Sequence, residues 1–531
     1  MKTTVFENGT VRVGGSAPDR SRLVVQVGVV VPPDAPTPVD ADRVDLRGGL
    51  LLPAFADGHA HPLLAGRETF GPRLRDARMV DDIVQRVRRW AAEDDSPWLI
   101  GGSYDATIAP DGLFDAVWLD RAEATRPVVL HAWDYHTAWV NTAALTAAGI
   151  ERTAGDPPNG RIVRRPDGTA MGTLIERPAI DLVLDEAPVP PLRRDAEALI
   201  WASEALAARG IAWVQEAWTE LRDVDAWVAA AESGRMMTDV DLAFRADPGE
   251  WPDQLERMIA ASRRLDPIDG LSGRTIKFFV DGIVENRTAH LLADYHDACG
   301  HGAPNWEPAA LADAVRAADA AGFHVHLHAI GDAAIRSALT AVAARAQDTT
   351  RRATLAHVQV IHPDDLARLA DLDVVLCFQP SWAVPDDVMV DLTLPRLGPD
   401  RAVQYRLRSA VDAGARISFG SDWPVTPPDV LTGIRTAVTR ADAHGDPVGG
   451  WHPEERLTID QALDAATSGV HHQSGAEDDR GTLHAGSAAD LVWLDRDIRR
   501  GPAARIADAT ILGTWRRGHR TFSPSPAAQS H

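Results

Sequence analysis

Apolar runs rich in Val, Leu, Ile and aromatic residues alternate along most of this chain with alanine- and arginine-rich stretches of helical period. The runs are LLLPAFADGHAHP (50–62), IAWVQEAW (211–218), DVDLAFRAD (239–247), TIKFFVDG (275–282), FHVHLHAIGD (323–332), ATLAHVQV (353–360), VVLCFQPSW (374–382) and RISFGSDWPV (416–425). Between most of them lie helical segments such as PAALADAVRAADAAG (308–322) and AAIRSALTAVAARAQ (333–347). Strand and helix in alternation make parallel βαβ units, and eight strands in this order predict an α/β fold, a (β/α)8 TIM-like barrel.

The first gap is too long for one crossover. Residues from about 66 to 205 include WLIGGSYDATIAPDG and RPVVLHAWDYHTAWVNTAALTAAGI, and predict a subdomain inserted after the first strand. At both ends the pattern shortens: TTVFENGTVRV, SRLVVQVGVVV, ADLVWLDRD and DATILGTWRRG read as short antiparallel strands. A small β-sandwich built from both termini is therefore expected beside the barrel. The expected division is 1–50 for the first part of the sandwich, 51–474 for the barrel with its insert, and 475–531 for the second part and tail. The tail FSPSPAAQSH reads as disordered.

Composition narrows the class. With 531 residues, 45% hydrophobic and 24% charged, the chain is an ordinary soluble globular protein. A net charge of −22 argues against nucleic acid or an anionic membrane as partner and leaves a small-molecule substrate. Cys299 and Cys377 are too few for a disulfide scaffold, no apolar segment follows the first lysine, and no run reaches the length of a membrane span. These features point to a cytoplasmic location. A homodimer is the expected assembly.

The chemistry sits at the strand ends. In a strand, residues two apart share a face, so His59 and His61 converge with Ala60 leaving room between them. The active sites of such barrels lie at the C-terminal face of the strands. There the fourth run carries Lys277, the fifth His326 and His328, the sixth His357 and the eighth Asp422. Singly, each has a plain explanation as a core histidine or a helix cap. Five strands delivering nitrogen or carboxylate ligands to one face predict a divalent metal site.

The order H-x-H, lysine, histidine, histidine, aspartate resembles that of the amidohydrolase superfamily. FVDGIVENRTAHL, HAIGDAAI, FGSDWPV, DYHTAWVNTAAL and GTLHAGSAADLVWLD are similar to its YtcJ-like branch, amidohydrolase family 3, which includes N-substituted formamide deformylases. The resemblance implies a metal-dependent hydrolase with metal on His59, His61, His328, His357 and Asp422, zinc being the expected ion, in one or two copies. His328 is preferred to His326 because it directly precedes AIGD; His326 is expected below the metal, as packing or a hydrogen-bond partner. Lys277-Phe278-Phe279 is similar to the carbamylated lysine of dihydroorotases and hydantoinases, which implies an N6-carboxylysine bridging two ions. The alternative is an ion pair of Lys277 with Asp281 or Glu285 and a single metal; Asp281, of the same strand parity, is also a reserve ligand.

The expected reaction is cleavage of a C–N bond in an amide, N-formyl compound or cyclic amide, with Asp422 as general base. His136 is a candidate oxyanion donor or a structural hydrogen bond, Asn141 is structural, and Asp332 caps the helix after HAIG or orients His328. Trp133, Tyr135, Trp382 and Trp423 are candidates for an apolar substrate pocket, or else ordinary core. A heterocycle deaminase of the same superfamily is disfavoured because HAIGDAAIRS contains no glutamate. A non-catalytic homologue is disfavoured because every expected ligand is present.

Overall fold

The eight apolar runs become eight strands of one parallel sheet: β1 (Phe55–Ala60), β2 (Ile211–Thr219), β3 (Asp239–Arg245), β4 (Leu271–Phe279), β5 (His324–Ala329), β6 (Ala353–His357), β7 (Val374–Phe378) and β8 (Arg416–Phe419). The computed structural model describes residues 3–150, 155–346 and 349–524; the tail expected to be disordered lies, from residue 525 on, outside the described residues. Neighbours in sequence are neighbours in the sheet, from β1 through to β8. Parallel strands covered on both faces bury nearly every side chain, which is why they read as continuous apolar runs. Leu242, Phe244, Ile276, Leu327 and Leu355 share one core with Leu311 and Leu339 of the surrounding helices.

The sheet closes where the site lies. Asp422 N donates to His59 O at 2.7 Å and His61 N to Trp423 O at 2.6 Å, joining the end of β1 to the turn after β8. The Asp57 carboxylate adds a second stitch, accepting from His59 N (3.1 Å), Ser421 N (2.9 Å) and the Ser421 hydroxyl (2.6 Å). Gly420 permits the approach: a Cβ there would fall 2.6 Å from His59 Cβ and 2.7 Å from His59 N. Gly420→Ala is expected to cost about 1–3 kcal/mol through overpacking. A lower denaturation midpoint at unchanged slope would show this; a midpoint equal to that of the wild type would mean that the seam has room.

Between β1 and β2 the chain builds a five-stranded sheet, in the spatial order Arg161–Arg164, Ala170–Ile175, Thr137–Val140, Val128–Ala132, Leu99–Tyr104. It has cores of its own, one around Tyr104, Phe114 and Trp139, the other around Val129, Leu174 and Ile180. Helix Leu192–Ala207, within the span assigned to the insert, packs Leu199, Ile200 and Leu206 into the barrel core. The termini form a β-sandwich of a four-stranded and a five-stranded sheet, the latter combining Thr10–Val11 and Leu50–Pro53 with Leu491–Leu494, Ile511–Arg516 and His519–Phe522. Phe6 meets Trp515 edge-on in its interior. Arg480 binds Asp239 at the start of β3 (2.8 Å) and Asp490 (2.6 Å), tying sandwich to barrel. Among the described residues no helix is long and apolar enough to cross a membrane.

Candidate metal centre at the open end of the barrel

His59, His357 and Asp422 come from the ends of β1, β6 and β8 and offer ligand atoms that all lie within 4.8 Å of one another. His61 Nε2 stands 2.9 Å from Asp422 Oδ1, and the His328 ring centroid 4.6 Å from that of His357. All five side chains are buried. Two of them take left-handed backbone at non-glycine positions, His357 at φ 74° and Asp422 at φ 55°. Such conformations cost on the order of 1–3 kcal/mol and concentrate where function fixes the side chain.

Each ring is held by its second nitrogen. His61 Nδ1 is 3.3 Å from Glu216 Oε1, and His357 Nδ1 is 2.8 Å from Gln379 Oε1. His328 Nε2 is 3.1 Å from Gly282 O, and His59 Nδ1 is 2.9 Å from His326 Nε2, as expected for a partner below the centre. Donation through the nitrogen facing a carboxylate or carbonyl leaves the lone pair on the other, the arrangement that orients a metal ligand. Burial, reinforced by the nearby Lys277, keeps His59 well below its ordinary pKa, and burial pushes His357 down to about 3 and His328 well below normal. Neutral imidazoles are the form that binds a cation. Burial alone would raise Asp422, but the His59 and His61 rings beside it hold its carboxylate well below the usual range.

Lys277 is fully buried, and among the described residues its Nζ has no hydrogen-bond partner, sitting 4.7 Å from the centre of the Phe279 ring. Burial pulls the amine down to about 7. The ion pair considered for it is not made. Asp281 instead accepts three backbone N–H groups, from His290, Ile330 and Gly331 at 2.9–3.0 Å, and Glu285 accepts the Thr393 hydroxyl. Asp281 Oδ1 also lies 3.8 Å from His328 Nε2.

His136 Nδ1 is 2.7 Å from Glu176 Oε2, its ring 5.5 Å from that of His328. Burial opposes its charge, but the Glu176 carboxylate, with Asp134 and Asp422 behind it, lifts the imidazole to about 9. A cavity of about 450 Å3 opens above, lined by His136, His328, His357 and Asp422 together with Trp133 and Trp382. Trp382 stacks on His357 at an interplanar angle of 3°. Tyr135 lines the smaller recess beside His59, His61 and Lys277, its hydroxyl donating to Glu68 at 2.5 Å.

For two residues the structure matches one of the two alternatives considered. Trp423 lies in the barrel core against Trp201 (5.9 Å between ring centroids) and lines neither space, because the chain turns at Asp422 and sends the next side chain outward. Asp332 makes no contact with His328; it is the first helical residue after the N-cap Gly331, and its carboxylate accepts from Ala333 N in the helix's first turn (3.1 Å), Leu292 N (2.7 Å) and Arg401 Nε (3.2 Å). Asn141 is structural as expected, capping Thr142–Ala147 through Ala144 N at 2.9 Å.

The supporting residues Glu216, Gln379, Glu176 and Asp57 went unread in the sequence. A signal existed for two of them: Glu216 interrupts the apolar run IAWVQEAW, and Asp57 has the parity of His59 and His61.

With this geometry in view, comparison with known proteins is decisive for family. Residues 42–522 match the model of the amidohydrolase family. The chain belongs to that family and is a hydrolase. It is 29% identical over 505 residues to Protein LONG AFTER FAR-RED 3 of Arabidopsis thaliana, covering 90% of this chain and 83% of that one. It is 29% identical to YtcJ of Bacillus subtilis (strain 168), covering 86% of each, and 26% identical to an N-substituted formamide deformylase of Arthrobacter pascens, covering 90% and 89%. In fold it is similar to an uncharacterized metal-dependent hydrolase from Pyrococcus furiosus, with TM-score 0.73 and 23% identity over 94% of this chain and 100% of that one.

Proposed function

We propose that this amidohydrolase cleaves a C–N bond of a small-molecule amide, N-formyl compound or cyclic amide with the help of a divalent metal, zinc being the ion expected. The observation that carries the reading is the meeting of His59, His357 and Asp422 within 4.8 Å, next to a buried lysine amine with no partner. The residues fit a metal: burial shifts His59, His328 and His357 toward the neutral form and their second nitrogens are engaged, while the Asp422 and Glu216 carboxylates, against burial, raise His61. His59, His61, His328, His357 and Asp422 would hold it, with Lys277 joining if carboxylated. A bound divalent ion supplies Lewis acidity toward a carbonyl and brings the pKa of water to about 7.

The chain's own groups do the rest. Asp422, a carboxylate held ionised, accepts the proton of the attacking water and returns it to the leaving nitrogen. His136, carrying its proton, donates a hydrogen bond to the substrate's carbonyl oxygen as charge develops there. Trp133 and Trp382 exclude water and bear on the apolar part of the substrate. The formamide deformylase relative favours an N-formyl or N-acyl substrate. Elemental analysis of the purified protein, followed by hydrolysis assays over N-formyl, N-acyl, cyclic amide and ester compounds, tests the reading. Protein that neither carries nor takes up metal, and cleaves none of them, overturns it.

Lys277 separates one ion from two. Its amine, brought down to about 7 by burial, has the free pair needed to attack carbon dioxide, forming an N–C bond and releasing a proton. Lys277→Ala is expected to bind about one ion where the wild type binds about two, with partial rescue of activity by added short carboxylates. Unchanged stoichiometry would show that the lysine takes no part in metal binding.

A further inference from the structure

Arg396 lies on the short helix Leu394–Leu397, in the segment between β7 and β8, and is 5% exposed. It lines the same cavity as His328, His357 and Asp422. Among the described residues its side chain makes no hydrogen bond or ion pair, and its Nε is sealed from solvent without an acceptor. Several charges around it have other partners, while Asp111, also on the cavity wall, acts on it only at longer range. Arg287 is held by Asp297 at 2.5 Å, Arg75 by Glu68 at 2.7 Å, and Glu285 takes the Thr393 hydroxyl. Asp105 and Asp386, also on the wall, accept Thr107 N and Met389 N at 2.9 and 2.8 Å.

A buried cation with no ion-pair or hydrogen-bond partner is costly, and burial together with Arg287 pushes this guanidinium below its ordinary pKa, against the longer-range pull of Glu285, Asp297 and Asp111. Proteins keep such a group where a ligand completes it. A guanidinium presents parallel N–H donors that match the two oxygens of a carboxylate. The cavity it lines also carries Val388, Met389 and Leu392 with the amide of Asn286, a wall that suits an apolar body ending in that anion. We propose that Arg396 determines specificity by binding a carboxylate on the substrate, away from the C–N bond that is cut. The substrate class is then a carboxylate-bearing amide; this rests on the hydrolase reading above for the identity of the bond.

The test measures binding apart from turnover, on the full-length metal-loaded protein, with N-benzoylglycine and N-benzoyl-β-alanine against their neutral primary amides. In the wild type each acid is expected to bind about tenfold or more tightly than its amide, the worth of hydrogen bonds to a charged partner. Arg396→Met should bring that ratio close to one, and Arg396→Lys should keep part of it. Because Arg396 makes no side-chain hydrogen bond or ion pair among the described residues, ligand-free Arg396→Met is expected to melt no lower than the wild type, where a structural arginine would lose stability. If the variants fail to fold, the wild-type ratio and its decline with rising salt decide the matter. Acids that bind no better than their amides, or a preference that survives Arg396→Met, overturn the proposal. Failure of the hydrolase reading looks different: no metal and no cleavage, with the preference for acids intact.

Discussion

Replacing His59 with alanine is expected to strip the protein of metal and lower turnover more than about a hundredfold, since losing even an outer partner of a ligand costs roughly 10–100-fold. His59 offers a ligand atom to the three-residue cluster and its other nitrogen to His326, so the variant loses a ligand and leaves the His326 ring without its partner. The backbone around it should hold. Asp57, Ser421 and the two cross-seam hydrogen bonds fix the end of β1 through main-chain atoms that the substitution leaves alone. The stability cost is then the unsatisfied ring, about 1–3 kcal/mol. Elemental analysis and far-ultraviolet circular dichroism on the same sample check both halves. A folded His59→Ala protein with full metal content and full activity would remove β1 from the metal site.

How much of this was legible depends on the physics of each element. All eight barrel strands were readable because parallel strands buried on both faces have no polar alternation to obscure them. The histidines, Lys277 and Asp422 stood out because a polar group at the end of such a run is chemically conspicuous. The insert was readable as an interruption but not as a sheet: its strands mix parallel and antiparallel partners, and besides local hairpins it needs pairings such as Leu99 with Val128 and Thr137 with Ile175.

The supporting shell was less readable, since it consists of pairings rather than positions. Gln379 matters because His357 faces it, and Glu176 because His136 does; nothing local announces either. Trp423 shows the reverse case, taking the core position rather than the pocket one. It neighbours Asp422 in sequence, but the left-handed turn at Asp422 sends the two side chains apart, and only backbone geometry reveals it. Asp332 accepts from Ala333 N at the start of its helix, but its other partners were unreadable for a related reason. The loop near Leu292 and Arg401 folds over the helix start and claims its carboxylate, a contact spanning 40 and 69 residues.

Asp422→Asn is expected to retain much of its metal and to lose roughly a hundred- to ten-thousand-fold in turnover, the usual worth of a positioned general base. Asparagine keeps the size and one oxygen of the carboxylate, so His61 Nε2, 2.9 Å away, still has an acceptor. It cannot take up a proton at neutral pH. The structure makes the two roles separable. Asp422 is anchored through its backbone, by Asp422 N to His59 O, so the side chain is free to change chemistry without the turn unravelling. The left-handed φ of 55° also favours the exchange, because asparagine and aspartate tolerate that region better than other side chains do. Metal content and turnover measured together separate the outcomes. Metal kept and turnover lost assigns the proton transfer to Asp422. Metal lost makes Asp422 chiefly a ligand, leaving the proton to another group. Both retained would mean that the base is a different residue and that the proposed mechanism is wrong.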